Sequence, residues 1–236
     1  MTVTTLSLRA APAGVIAAFL LCCAGSPTRA ADLSAVLDFS ISRDGQPFGR
    51  HIIRIRRMGE RTVVDNSANG DVMLGPFHLF TYDYACREIW EQDRLLSLVS
   101  RTDDDGRHIK VEAESGPGGL RVSGPDGDVL LPPETIPASF WTAAAVTSAT
   151  LFDPRTGKVD HVQSTLLGDE SDVVDNESLS IQHYKMTGDL VADLWYDRGG
   201  LLARARFQAR GSVFDYVKTP QRAQFLADGH RPGGGT

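Results

Sequence analysis

Between Leu201 and Arg210 the chain alternates without a break. Leu201, Ala203, Ala205, Phe207 and Ala209 take one parity, and Leu202, Arg204, Arg206, Gln208 and Arg210 the other. Successive strand side chains point to opposite faces, so this pattern specifies a strand with one dry face and one wet, basic face. A helix would spread the arginines around its whole circumference. The alternation sits in a longer stretch, Leu179 to Val217, in which Gly188-Asp189 and Asp197-Arg198-Gly199-Gly200 separate three strand-like segments. The expectation is an antiparallel meander, and the rest of the chain repeats the grammar.

Leu33, Ala35, Leu37, Phe39 and Ile41 alternate with polar neighbours, and Asp44-Gly45 supplies a hairpin turn. His51, Ile53 and Ile55 share a face on the return. Asp65–Asp71 is polar and is expected to be a loop. In the apolar segment from Val72 to Trp90, Phe80, Tyr82 and Tyr84 lie at period two. Short strands follow around Leu95–Ser100, Ile109–Ala113, Leu120–Ser123 and Val129–Leu131. Asp103-Asp104-Asp105-Gly106 carries three contiguous acids, where a calcium loop needs them at alternate positions, so it is a hairpin turn. Pro137–Val146 is the one stretch with helical spacing, with Ser139 as its N-cap. Asp153-Pro154-Arg155-Thr156-Gly157 is a turn, and Gly168–Asp172 an acidic loop. The fold expected is mainly β: a single curved antiparallel sheet, or open barrel-like fold, of many meandering strands with one short helix.

The N-terminus reads as a secretory leader. Arg9 precedes the apolar run Val15–Cys23, and Thr28-Arg29-Ala30 closes a small-residue cleavage site after Ala30. At roughly 10–14 residues the run is short of the ~20 that span a bilayer. A single mainly-β domain over residues 31–219 and a flexible polar tail over 220–236 are expected, in the periplasm or secreted, with no integral membrane span after cleavage. Losing the leader removes Arg9, Arg29 and no acid, which moves the net charge from −6 to −8. An acidic chain is a poor partner for nucleic acid. Only Cys86 then remains of the three cysteines, so no disulfide framework is available.

No nucleophile elbow, phosphate loop or dinucleotide fingerprint is present, and the six histidines are scattered. No catalytic residue, metal ligand or cofactor is assigned. The candidate ligand-binding residues are aromatic: Tyr82, Trp90, Trp141, Trp195 and Tyr196. Trp195 shares parity with Val191 and Asp193 rather than with Leu194 and Tyr196. Either this strand is buried on both faces or one aromatic stands in a concavity.

Several motifs together resemble a family of uncharacterised exported bacterial proteins, mostly proteobacterial, classified as a domain of unknown function. They are Glu88-x-Trp90 with Arg94-Leu95, then Thr102 to Gly106, Ser139-Phe140-Trp141, Tyr184, Gly188 and Trp195-Tyr196-Asp197 with Gly199/Gly200-Leu201. Phe207, Gly211 and Tyr216 close the set. Where that family carries Asn after the middle tryptophan, this chain has Thr142. The resemblance implies export and a β fold and brings no activity with it. The resulting expectation is a non-enzymatic periplasmic binding or scaffold protein. It would hold a hydrophobic ligand, such as a lipid or lipoprotein segment, in the concave side of a curved sheet. One alternative is a module that pairs with an envelope protein through its sheet edges. The other is a hydrolase-type enzyme assembled from distant residues.

Overall fold

The computed structural model describes residues 32–74, 77–174 and 177–219. The leader expected over 1–30 and the tail expected over 220–236 lie outside them. The first eight strands follow one another as hairpins: β1 (Asp32–Arg43), β2 (Gln46–Met58), β3 (Arg61–Leu74), β4 (Phe77–Glu91), β5 (Arg94–Asp104), β6 (Arg107–Gly116), β7 (Gly119–Gly124) and β8 (Gly127–Leu131). A connecting region holds β9 (Ile136–Pro137), the helix α1 (Ala144–Thr147) and β10 (Thr150–Phe152). The remaining strands are β11 (Val159–Val174), β12 (Glu177–Gly188), β13 (Val191–Asp197), β14 (Leu202–Ala209) and β15 (Ser212–Lys218).

All fifteen strands form one sheet in the order β8-β7-β6-β5-β4-β3-β2-β1-β15-β14-β13-β12-β11-β10-β9. Every pairing joins neighbours in sequence except one. β1 and β15 meet antiparallel, with Phe39 opposite Lys218 and Arg43 opposite Phe214. The sheet is not closed by hydrogen bonds; its ends are β8 and β9.

Side-chain and turn contacts roll the sheet into a barrel-like form. Ser100 on β5 donates to the carbonyl of Pro154. Arg210, between β14 and β15, pairs with Asp104 at the end of β5. The backbones of Gly124 and Gly157 lie so close that a Cβ on either would sit 3.3 Å from the other's Cα. A larger residue at Gly124 would push these two turns apart. The concave face carries the core: Leu37, Phe39, Ile53, Val64, Leu95, Leu98, Val111, Leu120, Leu151, Leu194 and Ala205 are among its buried members. Rows of this face run across strands in register. Phe39, His51, Ala68, Tyr84, Thr102 and Ile109 stand opposite one another on β1 to β6.

The mainly-β, open, barrel-like expectation holds, and four local expectations are corrected. Asp65–Asp71 is part of β3, because Asp65 is matched across the strands by Arg56 and Arg87 and therefore needs no loop. Gly168–Asp172 continues β11 beyond a bulge at Leu166/Gly168. The stretch from Leu179 to Val217 holds four strands, since Arg210 (φ 52) and Gly211 (φ 74) make a turn between β14 and β15. The helix expected over Pro137–Val146 is reduced to Ala144–Thr147, and its N-cap, Ala143, makes no side-chain bond. Ser139 therefore caps nothing. Asp103-Asp104-Asp105-Gly106 is the hairpin turn expected, with Asp103 Oδ1 accepting from Gly106 N–H at 2.8 Å.

Gly70 on β3 lies beneath the ring of Phe48, and a Cβ at Gly70 would overlap that ring. Gly70→Ala should destabilise the protein by about 1–3 kcal/mol through this overlap. In a Phe48→Ala background the same change should cost less than 1 kcal/mol. Urea unfolding of the four proteins in the cycle measures the coupling.

Candidate functional site

Alternation on β4 turns Tyr82, Tyr84, Cys86, Glu88 and Trp90 toward the concave face. An acid therefore enters the core, and Glu88 is 0% exposed. A buried carboxylate needs donors, and they converge from three parts of the chain. Asn66 Nδ2 on β3 donates to Oε1 at 3.0 Å. Trp90 Nε1 donates to Oε2 at 2.8 Å. Trp141 Nε1, in the connection before α1, donates to the same oxygen at 3.0 Å. Ser139 adds a further hydrogen bond. Burial pushes Glu88 up to about 7 against the pull of these donors. The two indoles meet edge to face, 5.9 Å between centroids.

The connection around Trp141 is stitched down on its other side. The Trp141 carbonyl accepts from Leu202 N–H at 3.2 Å, and Ala143 N–H donates to Gly200 O at 2.9 Å. Thr142 bridges to Leu201. Tyr196, fully buried, donates its hydroxyl to the Phe140 carbonyl at 3.3 Å. Phe140 sits at φ 56, a conformation that bulky residues rarely adopt. Its ring lies 5.2 Å from that of Phe207.

From Phe207 an aromatic line crosses the interior. Phe207 meets Tyr216 at 5.4 Å, and Tyr216 meets His51 at 5.9 Å and Phe39 at 6.4 Å. Phe140, Phe207, Tyr216, His51 and Tyr82 are only partly buried although they face inward. Arg155, from the β10–β11 turn, stands beside Tyr82 and Tyr216. Protein surrounds it, yet 50% of its side chain is open to water. Burial works against its charge and Asp153, at 2.9 Å, more than restores it. Burial pushes Tyr82 up to about 12 and drives His51 down to about 4, so His51 is neutral at ordinary pH. Beyond the filled part of the interior around Glu88, Tyr82, Phe140, Phe207 and Tyr216 pack against the core yet stay partly open to water, as an aromatic wall. Phe48, packed against Phe80 at 6.3 Å and Phe214 at 5.4 Å, lies toward the same end.

Of the five aromatic candidates, Trp90 and Trp141 meet at the buried carboxylate, Tyr196 is buried beneath the Phe140 carbonyl, and Tyr82 lies on the aromatic wall. Trp195 does not join them. It is on the outer face, with Ile181 and Ala203 beside it. His183 stacks on it at 4.2 Å, and the Arg204 guanidinium lies 4.7 Å from its ring. Its Nε1 donates to Glu170 at 2.9 Å, and these neighbours leave it only 5% exposed. Its parity differs from that of Leu194 and Tyr196; the cover supplied by charged side chains was not visible in sequence. Glu88 and His51 were missed as site residues although each shares parity with an apolar series, Tyr84 and Trp90 for the first and Ile53 and Ile55 for the second. Arg155 gave no such signal. Among the described residues no group of three or more His, Cys, Asp or Glu could hold a metal ion, and no helix is long and apolar enough to cross a membrane.

A family described as "Domain of unknown function (DUF6134)" matches residues 39–219, which include Glu88, its donors and the aromatic line. The chain belongs to the DUF6134 family. Among solved structures, the DUF6134 chain is similar to the crystal structure of a beta-barrel-like protein of domain of unknown function DUF1849 from Brucella abortus. The TM-score is 0.59 at 10% identity, over 78% of this chain and 95% of that one. At that identity the likeness is one of fold. No curated protein matches the chain.

Glu88 makes the DUF6134 chain's stability depend on pH. Its folded pKa lies above the unfolded value, so the folded state holds the extra proton. Stability is fully present below about 4.5 and falls as pH rises through about 7, by on the order of 3 kcal/mol. Asp160, raised to about 6 by burial, slopes the same way. Urea midpoints between pH 4.5 and 8 should show this decline, and Glu88→Gln should flatten most of it. Trp141→Phe removes one donor from the carboxylate and should cost about 1–3 kcal/mol at pH 8 and less at pH 5.

Proposed function

We propose that this DUF6134 protein is exported and binds the apolar part of a ligand, a lipid or lipoprotein segment, inside its half-open barrel. The observation that carries the reading is the partly open aromatic wall. On the concave face, where side chains of a solid core would be sealed, Tyr82, Phe140, Phe207 and Tyr216 remain partly open. Aromatic walls with a few polar groups are the usual lining of small-molecule sites. His51 adds no charge, and Arg155 is compensated by Asp153 at the wall. The apolar run Val15–Cys23 and the small residues before Ala31 support export.

The test is uptake of the apolar fluorophore N-phenyl-1-naphthylamine by the mature protein, together with native mass spectrometry of protein taken from its own periplasm. The expected results are saturable uptake at roughly micromolar concentration and a co-purifying lipid-like mass. Ala68 lies on the inner face between His51 and Tyr84, and Ala68→Phe fills that space. This variant should lose at least tenfold in probe affinity while its melting temperature moves by only a few degrees. Saturable uptake that Ala68→Phe leaves unchanged, or its absence from the wild type, would sink the reading.

A further inference from the structure

β11 outruns its neighbour. β10 pairs with it only from Val159 to His161. Val162 N–H then reaches Ala149 O at 3.0 Å, and beyond that, among the described residues, β11 is hydrogen-bonded along one side only, to β12. From Gln163 to Ser171 nearly every residue is exposed. Leu166 and Leu167, 51% and 55% exposed, sit on this edge at the bulge that Gly168 (φ 142) permits. Asp169 and Glu170 follow directly.

Bare strand edges are templates for another chain, and proteins usually blunt them with lysine, proline or a very short edge. Residues 163–174 contain no Lys, Arg or Pro and run for twelve positions. What this edge carries is an apolar pair followed by acids. Glu170 is anchored to the outer face by His183 Nδ1 at 2.7 Å and by Trp195 Nε1, so this stretch of edge is held in place. Acids on an edge disfavour a second copy bringing the same acids, and favour a strand bearing cations.

We propose that the free edge of β11, residues 163–171, receives an extended segment of another protein as an added strand. The segment is apolar against Leu166 and Leu167 and carries lysine or arginine against Asp169. Main-chain hydrogen bonds give the affinity, and the leucine-then-acid order gives the register. This site is separate from the interior aromatic wall, and blocking either leaves the other intact.

The experiment uses the mature chain and a labelled ten-residue peptide alternating valine with lysine, beside its valine–glutamate counterpart. Binding is read by fluorescence anisotropy and located by amide hydrogen exchange. The lysine peptide should bind, protect amides within 163–171 and weaken as salt rises. Leu167→Lys and Asp169→Lys, both at exposed positions, should each lower its affinity at least tenfold without moving the melting temperature. Equal binding of the glutamate peptide, protection confined to other strands, or unchanged affinity in both variants overturns the proposal. So does a concentration-dependent dimer that Leu167→Lys abolishes, which would make a second copy the occupant.

Discussion

A carboxylate shut away from water has to be met by donors or it neutralises. Glu88 is met by β3, by its own strand and by the connection that follows β9, so three separated parts of the chain share one buried group. This is what fixes the connection across the interior. The residues around Trp141 are held besides through Tyr196, Gly200, Leu201 and Leu202 and by the Phe140–Phe207 ring contact. The same arrangement fills the part of the barrel around Glu88 and ties its charge to the packing of both indoles.

The period-two pattern made the β architecture legible, because it reports directly which side chains face the core. It failed where polar residues meet their partners across strands. Asp65 looked like a loop residue and is a strand residue held between Arg56 and Arg87. Glu170 looked like part of an acidic loop and is tied down by His183 and Trp195. A window of sequence shows such residues as hydrophilic and cannot show that residues on the neighbouring strands neutralise them. The alanine run Ala143–Ala145 favours helix by propensity. The backbone at Trp141, Thr142 and Ala143 is instead spent on hydrogen bonds to the β13–β14 turn, and only four residues remain for α1. The turn at Arg210 was invisible for the opposite reason: its side chain continues the alternation while its backbone reverses.

The site was partly legible too. Four of the five aromatic candidates face inward, and two of them, Trp90 and Trp141, meet at Glu88. The charged residues that define that neighbourhood were hidden by their chemical type, since an acid or a histidine on an apolar parity reads as an exception rather than as a centre. Trp195 shows the converse. A large aromatic on the outer face is kept from water by His183 on one hand and Arg204 on the other, so burial does not require the core.

Among the described residues, thirteen of the fourteen strand pairings join neighbours in sequence, and the pairing of β1 with β15 stands alone in joining the first strand to the last. Local pairings form early because little chain must be ordered to make them, and the long-range one is slow. A chain synthesised from its N-terminus therefore presents one naked border of its first strand for as long as the rest takes to emerge. Its two arms can each zip up, but the seam between them waits for the last seven-residue strand. Any chaperone that meets the growing chain would find its foothold on that waiting border, and truncation just before Ser212 would leave it bare for good.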